Sequence, residues 1–407
     1  MKAVMYGAGN IGRGFIGQLF SLSGYDTAFI DINMAIIDKL NSDREYPIYI
    51  TKGDSYEKGL VSGVRGVNGK DLEAVADAIA NADIMATAVG VNVLPFIVKP
   101  LVAGIIKRYH SSNKAPLNII ICENKLGADL YLRELLTEKM NDEEKIYFEN
   151  NIGLVEASIG RMVPATPEEI AKENILAVCV EEYCTLPVDK EAFKGEIPKI
   201  INMIPFAPFE FYIERKLFMH NMSHALIAYL GNLKGYTYIW QAASDPEIQL
   251  LAFRALIDSA QALSKAHGVA LESLIDHAED LLYRFENKLL GDTIDRVGKD
   301  TVRKLSPQDR LAGAFKLIKE QKINPVYIEL GIAAALHFAP KEDIASGEVV
   351  NYVVNEGVTA ALKKYCGFKD KDMISVEIIT ELYSRLKDSH NLNDLIIYLQ
   401  KQKKTER

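Results

Sequence analysis

The chain has 407 residues, of which 48% are hydrophobic and 25% charged, and its formal net charge at pH 7 is -8. This length allows two domains with substantial cores, and the acidic balance disfavours nucleic acid and anionic membrane surfaces as main partners. Four scattered cysteines without a C-x-x-C pair predict reduced core residues. Because the N-terminus enters a strand at once and no apolar run reaches membrane-spanning length, we expect a soluble cytoplasmic protein.

A glycine-rich turn follows the first predicted strand, Lys2 to Tyr6, and precedes a helix. In this G-x-G-x-x-G pattern Gly7 permits a tight turn, Gly9 lets the backbone approach a pyrophosphate, and Gly12 allows close packing of helix and strand. The second strand ends in Asp31, an acid that accepts hydrogen bonds from the adenosine ribose and repels a 2′-phosphate. NAD is therefore favoured over NADP, and Asn33 nearby carries no positive charge. The predicted cofactor-binding residues here are Gly7, Gly9, Asn10, Ile11, Gly12 and Asp31.

Strands and helices continue to alternate up to about residue 125, which predicts crossover connections and a parallel sheet. We expect helices at 34–40, 72–80 and 98–109, buried strands at 83–90 and 117–122, and short strands of an insertion at 48–50 and 63–67. Ligands of such sheets bind beyond the carboxyl ends of the strands. This rule predicts that the cofactor or substrate lies near Ala88, Val89, Gly90, Val91 and Asn124.

The pattern changes in the second half of the chain. Helical stretches at 130–140 and after 143, with apolar runs at 151–159 and 175–184, precede a junction marked by four prolines between 187 and 208. Beyond it we expect helices at 209–230, 246–267, 271–284, 309–321, 325–337, 349–365 and 376–386, and a solvated tail from 401 to 407. The predicted fold class is α/β, with a Rossmann-type NAD-binding domain over 1–200 and a mostly α-helical substrate and catalytic domain over 201–407.

The predicted helix 209–230 carries the strongest candidates for chemistry. With Lys216 at zero and about 100° per residue, His220 falls near 40°, His224 near 80° and Asn221 near 140°. Hydride transfer needs a base for the hydroxyl proton and donors that polarise the carbonyl oxygen. Lys216 suits the base role if burial lowers its pKa from roughly 10.4. A solvated face with the same residues explains the pattern equally well, and geometry alone does not rank His220 below His224.

Other sites compete with this one. Tyr212 and Lys216 form a Y-x-x-x-K pattern, but short-chain dehydrogenases place it within the nucleotide domain. The scattered cysteines and the absence of H-E-x-x-H disfavour zinc chemistry, so we predict no metal. A basic segment includes Arg296, Lys304 and Arg310, which could hold a phosphate or a polyol or could form a solvated charged face.

Together these segments resemble the polyol-specific long-chain dehydrogenases, the mannitol dehydrogenase family. The resemblance covers nearly the whole chain and rests on GAGNIGRGFIG, TAVG ending at Gly90, PLNIIICEN ending at Asn124, ERKLFMHNMSHALIAYLG ending at Gly231 and RFENKLLGDTIDRVGKDTVRKLSPQDR ending at Arg310. The K-x4-N-x2-H motif of the family maps onto Lys216, Asn221 and His224. The resemblance implies that Lys216 is the general base and that Asn124 and Asn221 stabilise the developing alkoxide. It further implies that His224 orients the substrate while Arg296, Lys304 or Arg310 hold its distal end.

The implied reaction is hydride transfer from NADH to C2 of fructose 6-phosphate, giving mannitol 1-phosphate, by a monomer or homodimer. Mannitol 2-dehydrogenase, the tagaturonate and fructuronate reductases and a non-catalytic NAD-binding sensor stay open as alternatives. Two positions depart from the pattern of the resembled family. Gly160 stands where an Asp commonly precedes the Arg of RMVP, and His220 stands where relatives are commonly apolar.

Overall fold

The computed structural model describes residues 1–113, 115–387 and 392–405. The chain divides into two compact units, Met1–Tyr212 and Ile213–Arg407. The boundary after residue 200 that the sequence suggests stays a prediction. Among the described residues, no helix is both long and apolar enough to cross a membrane.

The first unit alternates strands with helices. Its strands are β1 (Lys2–Tyr6), β2 (Asp26–Asp31), β3 (Glu45–Lys52), β4 (Ser55–Ser62), β5 (Val64–Asn68), β6 (Ile84–Thr87), β7 (Leu117–Ile121), β8 (Ile152–Glu156), β9 (Val178–Val180), β10 (Leu186–Asp189) and β11 (Met203–Phe206). Its helices are α1 (Gly17–Leu22), α2 (Met34–Asp43), α3 (Leu72–Ala80), α4 (Leu94–His110), α5 (Ala128–Thr137), α6 (Asp142–Asn151) and α7 (Glu168–Glu173). A π-helical turn, Gly12–Ile16, precedes α1, and a 3-10 turn, Val91–Val93, precedes α4.

A parallel sheet in the order β5-β2-β1-β6-β7-β8 forms the centre of this unit. Side chains of β1 alternate between two cores, since Val4 and Tyr6 join one buried cluster and Ala3 and Met5 join the other. The strand order reverses between β1 and β6, which creates the crevice where such sheets bind ligands. The predicted Rossmann-type fold is confirmed.

One prediction about strands in this unit is wrong. The strand at 63–67 does not belong to an insertion, because β5 pairs with β2 at the edge of the main sheet. The insertion is instead a hairpin of β3 and β4, extended by parallel pairing of β3 with β9. The proline-rich stretch also contains the paired strands β10 and β11, because Pro187 and Pro205 lie in a two-stranded ribbon where few ladder donors are needed.

The second unit is helical, as predicted. The boundary falls within α8 (Glu210–Arg215), and the unit continues with a π-helical segment, Lys216–Asn221. Its further helices are α9 (Met222–Leu233), α10 (Ile239–Ala243), α11 (Pro246–His267), α12 (Leu271–Phe285), α13 (Ile294–Gly298), α14 (Thr301–Lys304), α15 (Ala312–Glu320), α16 (Val326–Ala335), α17 (Ile344–Glu356), α18 (Val358–Cys366), α19 (Met373–Leu386) and α20 (Asn393–Lys403).

Three expectations for this unit need correction. The helix predicted to end at residue 230 continues to Leu233 in α9, where Gly231 packs closely against Ile294 and Ala242. The helix predicted at 349–365 is two helices, which meet at Gly357 with a φ of 86°. The predicted solvated tail begins inside α20, where the Lys403 ammonium lies 2.7 Å from the buried Asp258 carboxylate. The last two residues of that tail, 406 and 407, lie outside the described residues.

Candidate active site

Two of the three motif glycines are required by the packing of the first unit itself. The N–H of Gly7 donates to the Ile30 carbonyl at 2.8 Å, and Gly7 has a φ of 103°. A Cβ at Gly7 would lie 2.5 Å from the Ala88 oxygen, and a Cβ at Gly12 would lie 2.0 Å from the Gly7 oxygen. Gly9, in contrast, is exposed, and beyond its own neighbours in the chain no described atom lies within 4 Å of where its Cβ would stand. Its lack of a side chain therefore leaves the backbone open to a ligand, which fits a pyrophosphate.

This difference predicts opposite effects for two alanine substitutions. Gly12→Ala is expected to destabilise the protein by roughly 3 kcal/mol or more, because the new Cβ overlaps backbone that has no room to move. Gly9→Ala is expected to leave the melting temperature unchanged but to weaken NADH binding about tenfold or more. Thermal unfolding and NADH fluorescence titration measure the two effects. A stable Gly9→Ala variant with wild-type NADH affinity would contradict the assignment of Gly9 to the cofactor.

Asp31 is held at the carboxyl end of β2 by two backbone donors. Its Oδ2 accepts from the N–H of Ala8 at 2.8 Å and its Oδ1 accepts from the N–H of Asn33 at 2.9 Å. Each carboxylate oxygen keeps further acceptor capacity, which suits two ribose hydroxyls. The nearby Arg13 is buried, and its guanidinium donates to the Ala8 and Leu176 carbonyls. The edge of the first unit therefore combines an open glycine turn, which suits a pyrophosphate, with an oriented acid, which suits ribose hydroxyls.

The ends of β6 and β7 are joined by a residue that the sequence-based reasoning missed. The Glu123 carboxylate accepts from the N–H groups of Val89 at 2.9 Å and Gly90 at 2.8 Å. Val89 and Gly90, two of the residues expected to contact the cofactor in this turn, thus have their amides bound by a side chain. Asn124 follows directly and is exposed at the same edge. The sequence did contain a signal for a role of Glu123 at this edge, because Glu123 lies between the end of a buried strand and the candidate Asn124.

In the second unit, the candidate motif lies on a π-helical segment rather than on a regular α-helix. The hydrogen bonds of a π-turn run from residue i to i+5, which inserts one residue into the turn. The angles predicted at 100° per residue are therefore wrong from Lys216 onwards. Subtracting about 100° for the inserted residue brings Asn221 to about 40° and His224 to about -20° from Lys216. The π-turn thus narrows the arc that these three side chains share.

His224 is a mostly buried, uncharged imidazole. Its ring stacks on Phe285 with 4.6 Å between centroids and an interplanar angle of 13°. Burial lowers its pKa well below the usual value, and the charges of Arg296, Arg310 and Lys304 lower it further. Its Nε2 lies 3.7 Å from the Asp292 carboxylate, and within the described residues this buried nitrogen has no hydrogen-bond partner. A buried polar nitrogen without a partner suits a ligand hydroxyl or carbonyl.

The charges of all three predicted substrate-binding cations, Arg296, Lys304 and Arg310, act on the His224 imidazole. The three side chains differ in how far they are exposed to solvent. Arg296 forms an ion pair with Asp292, and the Arg310 Nε lies 2.7 Å from the Asp309 carboxylate. Lys304 is only 3% exposed, and its ammonium donates to the carbonyls of Val297 at 2.6 Å and Lys299. Burial, followed by the charges of Arg310 and Arg303, lowers the pKa of Lys304 to about 7.

His220 is a buried neighbour of His224 and Phe285. Its ring lies 6.1 Å from the His224 ring and edge-on to Phe285 at 5.6 Å. Burial lowers its pKa well below the usual value, as do the charges of Arg284, His224, His277 and Lys216. His220 is therefore a neutral packing partner of Phe285. Sequence reasoning missed the contacts of Phe285 and Asp292 with His224 because Phe285 ends α12 and Asp292 precedes α13, both far from His224 in the sequence.

The RMVP segment, where Gly160 replaces an expected acid, has a structural explanation. The buried Arg161 guanidinium donates to the Glu181 carbonyl at 2.8 Å and 3.0 Å and to the Gly14 carbonyl at 3.0 Å. A Cβ at Gly160 would lie 3.3 Å from the Tyr183 ring, so little room exists for a longer side chain. Arg161 therefore connects the RMVP loop to the π-helical turn Gly12–Ile16.

Other candidate sites lie apart from these residues. A cavity of about 480 Å³ in the second unit is lined by Phe315, Lys319, Cys366, Phe368 and neighbouring side chains, and it includes none of the predicted site residues. In the part of the chain that the structure describes, no three His, Cys, Asp or Glu side chains are grouped so as to hold a metal.

Comparison with known proteins identifies the family. Residues 1–202 match the mannitol dehydrogenase Rossmann domain, and residues 209–402 match the mannitol dehydrogenase C-terminal domain. The chain belongs to the mannitol dehydrogenase family. It is 38% identical over 391 residues to the mannitol-1-phosphate 5-dehydrogenase of Caldanaerobacter subterraneus subsp. tengcongensis, a match covering 95% of this chain and 99% of that protein. It is also 38% identical to the enzyme of the same name from Clostridium acetobutylicum, with the same shares covered.

Solved structures of mannitol dehydrogenase type share this fold at low sequence identity. D-sorbitol dehydrogenase in substrate-free form superposes with a TM-score of 0.81 at 16% identity, covering 95% of this chain and 93% of that one. Pseudomonas fluorescens mannitol 2-dehydrogenase, in a ternary complex with NAD and D-mannitol, gives 0.74 at 16% identity and covers 98% and 94%. This mannitol dehydrogenase family member is thus a polyol dehydrogenase that acts on a CH–OH group and resembles the mannitol-1-phosphate 5-dehydrogenases.

Proposed function

We propose that the protein is an NAD-dependent mannitol-1-phosphate 5-dehydrogenase that interconverts D-mannitol 1-phosphate and D-fructose 6-phosphate. The observation that carries the proposal is the grouping of Arg296, Arg310 and Lys304 around the uncharged His224. Three cations beside one polar imidazole favour a substrate that is both hydroxylated and anionic. The names of the curated relatives support the same substrate.

The cofactor role falls to the first unit. Bound NADH supplies the hydride, and NAD accepts it in the reverse reaction. We assign the pyrophosphate to the open turn at Gly9, Asn10 and Ile11, because its backbone is exposed or partly exposed there. Asp31 orients the adenosine ribose by accepting hydrogen bonds from its hydroxyls. Its carboxylate oxygens keep lone pairs for this purpose after they accept the N–H groups of Ala8 and Asn33.

Lys216 carries the proton in the proposed mechanism. In the reducing direction its ammonium donates a proton to the substrate oxygen as the carbonyl carbon accepts the hydride, and in the oxidising direction the neutral amine takes that proton back. The amide N–H groups of Asn221 and Asn124 stabilise the negative charge that develops on the same oxygen. His224 orients an adjacent hydroxyl with its Nε2, and an uncharged imidazole suits this role because Nε2 accepts from the hydroxyl in one tautomer and donates to it in the other.

Arg296 and Arg310 hold the distal phosphate in this proposal, and Lys304 adds a charge that depends on pH. Because burial lowers the pKa of Lys304 to about 7, its positive charge is present below that pH and is lost above it. Between about pH 6 and pH 8 we therefore expect the KM for fructose 6-phosphate to rise several-fold more in the wild type than in Lys304→Met. Titration of the substrate phosphate affects both proteins equally, so the comparison isolates Lys304. Identical pH profiles of KM would remove Lys304 from substrate recognition.

Initial rates of NADH oxidation test the substrate assignment. Fructose 6-phosphate, fructose, tagaturonate and fructuronate are compared at equal concentration, each also with NADPH. We expect strong preference for fructose 6-phosphate with NADH, and equal rates before and after dialysis against EDTA, since we propose a metal-independent reaction. Preference for fructose would assign the protein as a mannitol 2-dehydrogenase, and preference for a keto-uronate would assign the cations to a carboxylate. Dinucleotide binding without turnover would indicate a sensor.

We also propose that the enzyme works in the cytoplasm as a monomer or homodimer. Resemblance to the family supports this assignment. Light scattering on a size-exclusion column and fractionation of the source cells test the two statements separately.

A further inference from the structure

Glu123 is a buried carboxylate that the proposed mechanism does not use. It is 6% exposed and stands two residues beyond the end of β7. Both of its oxygens accept backbone N–H groups, one from Val89 and one from Gly90, at the end of the neighbouring β6. The carboxylate thus fixes the turn after β6 to the end of β7.

The order of the sheet places this carboxylate on one particular half of the cofactor crevice. Asp31 ends β2, which lies on one side of β1, whereas β6 and β7 lie on the other side. If Asp31 binds the adenosine ribose and the turn after β1 binds the pyrophosphate, the remaining half of the dinucleotide extends over the ends of β6 and β7. Glu123 therefore lies on the nicotinamide half.

The turn at residues 88–90, which the Glu123 carboxylate fixes, also contacts the glycine motif. Gly7 packs so closely on Ala88 that its hypothetical Cβ would lie 2.5 Å from the Ala88 oxygen. The Glu123 carboxylate contacts the Val89 amide, and the adjacent Ala88 contacts Gly7, so these residues are connected along the carboxyl edge. A change of shape at Glu123 is thus transmitted to the surface on which both halves of the cofactor would rest.

The charge of Glu123 has a separate consequence. The nicotinamide ring is positively charged in NAD and neutral in NADH, whereas the remainder of the cofactor has the same charge in both. A negative side chain with little solvent around it attracts the oxidised ring and leaves the reduced ring almost unaffected. We propose that Glu123 is a positioning residue that fixes the 88–90 turn under the nicotinamide and whose charge favours NAD over NADH. This inference rests on the proposed use of NAD.

Three variants separate charge from shape. Glu123→Gln keeps the length of the side chain and removes the charge, but its NH2 group cannot accept, so one of the two backbone N–H groups loses its acceptor. Glu123→Asp keeps the charge and both acceptor oxygens and shortens the side chain. Glu144→Gln is the matched control, because Glu144 also binds a backbone N–H, that of Asn141 at 2.8 Å, but at an exposed helix cap. Dissociation constants for NAD and for NADH are measured by isothermal titration calorimetry, and folding is checked by thermal unfolding.

We expect Glu123→Gln to raise the dissociation constant of NAD on the order of fivefold more than that of NADH. Glu123→Asp should raise both constants by a similar factor, and Glu144→Gln should change neither. Loss of stability alone does not alter the ratio of the two constants, so the ratio reports the charge. The Asp variant supplies the shape effect even if the Gln variant folds poorly.

Equal increases of both constants in Glu123→Gln would overturn the role of the charge, and unchanged constants would overturn the positioning role as well. A wild-type protein that binds neither NAD nor NADH would refute both this inference and the proposed cofactor. In contrast, a protein that binds both forms with the expected ratios but turns over no ketose would refute the proposed function and leave this inference standing.

Discussion

Lys216→Ala is expected to lower the rate of hydride transfer about 10²- to 10⁴-fold in both directions, the usual contribution of a positioned acid–base group. The substrate oxygen would then exchange its proton with water instead of with an oriented amine. NADH affinity should stay unchanged, because the predicted cofactor residues belong to the first unit. Single-turnover rates with fructose 6-phosphate and NADH, and NADH titration without substrate, measure the two quantities.

The matched control is Lys316→Ala, which removes an exposed lysine of α15 from the same unit. It should have wild-type rates. Added primary amines should restore part of the activity of Lys216→Ala in proportion to their concentration, because a small amine fits the space that the side chain leaves. Near-normal single-turnover rates in Lys216→Ala without added amine would exclude Lys216 as the base.

The parts of the fold that sequence alone predicted are those encoded by local backbone requirements. Helix α11 was predicted with its observed bounds because Asp245 caps its start, Pro246 is its first residue and Gly268 ends it with a φ of 67°. The glycine turn was equally predictable from the sequence, since Gly7 and Gly12 are required by close contacts that the motif itself specifies. Such signals need no knowledge of distant residues.

The features that escaped prediction depend on tertiary contacts. The π-turn at Lys216–Asn221 leaves no mark on hydrophobic periodicity, so the arc of the candidate residues was predicted too wide. The contact of Glu123 with the turn after β6 could be assigned only once β6 and β7 were known to be neighbours. The place of β5 in the main sheet could be assigned only once its pairing with β2 was known. Asp292 lies 68 positions after His224 in the sequence (292 minus 224), yet its carboxylate comes within 3.7 Å of the imidazole, a contact that no spacing rule predicts.

The assignment of the two arginines to phosphate predicts a loss that depends on the substrate. Arg296→Gln and Arg310→Gln should each lower kcat/KM for fructose 6-phosphate about 10- to 100-fold, because a charge-assisted hydrogen bond contributes about 1.5–3 kcal/mol. Weak activity on fructose should change less than about threefold, since fructose offers no anion to lose. Gln keeps a hydrogen-bond donor near Asp292 or Asp309, which limits disturbance of those carboxylates.

Arg385→Gln is the control for these variants, because it makes the same change in net charge on α19, where Arg385 pairs with Glu381 at 2.7 Å. It should leave both substrates unaffected. The decisive quantity is the ratio of kcat/KM for fructose 6-phosphate to that for fructose, since a general loss of folding or of hydride transfer lowers both terms together. A ratio that falls only in Arg296→Gln and Arg310→Gln supports phosphate binding at these arginines. If activity on both sugars falls equally, the guanidinium groups bind the polyol chain instead, and the anion preference must come from other residues.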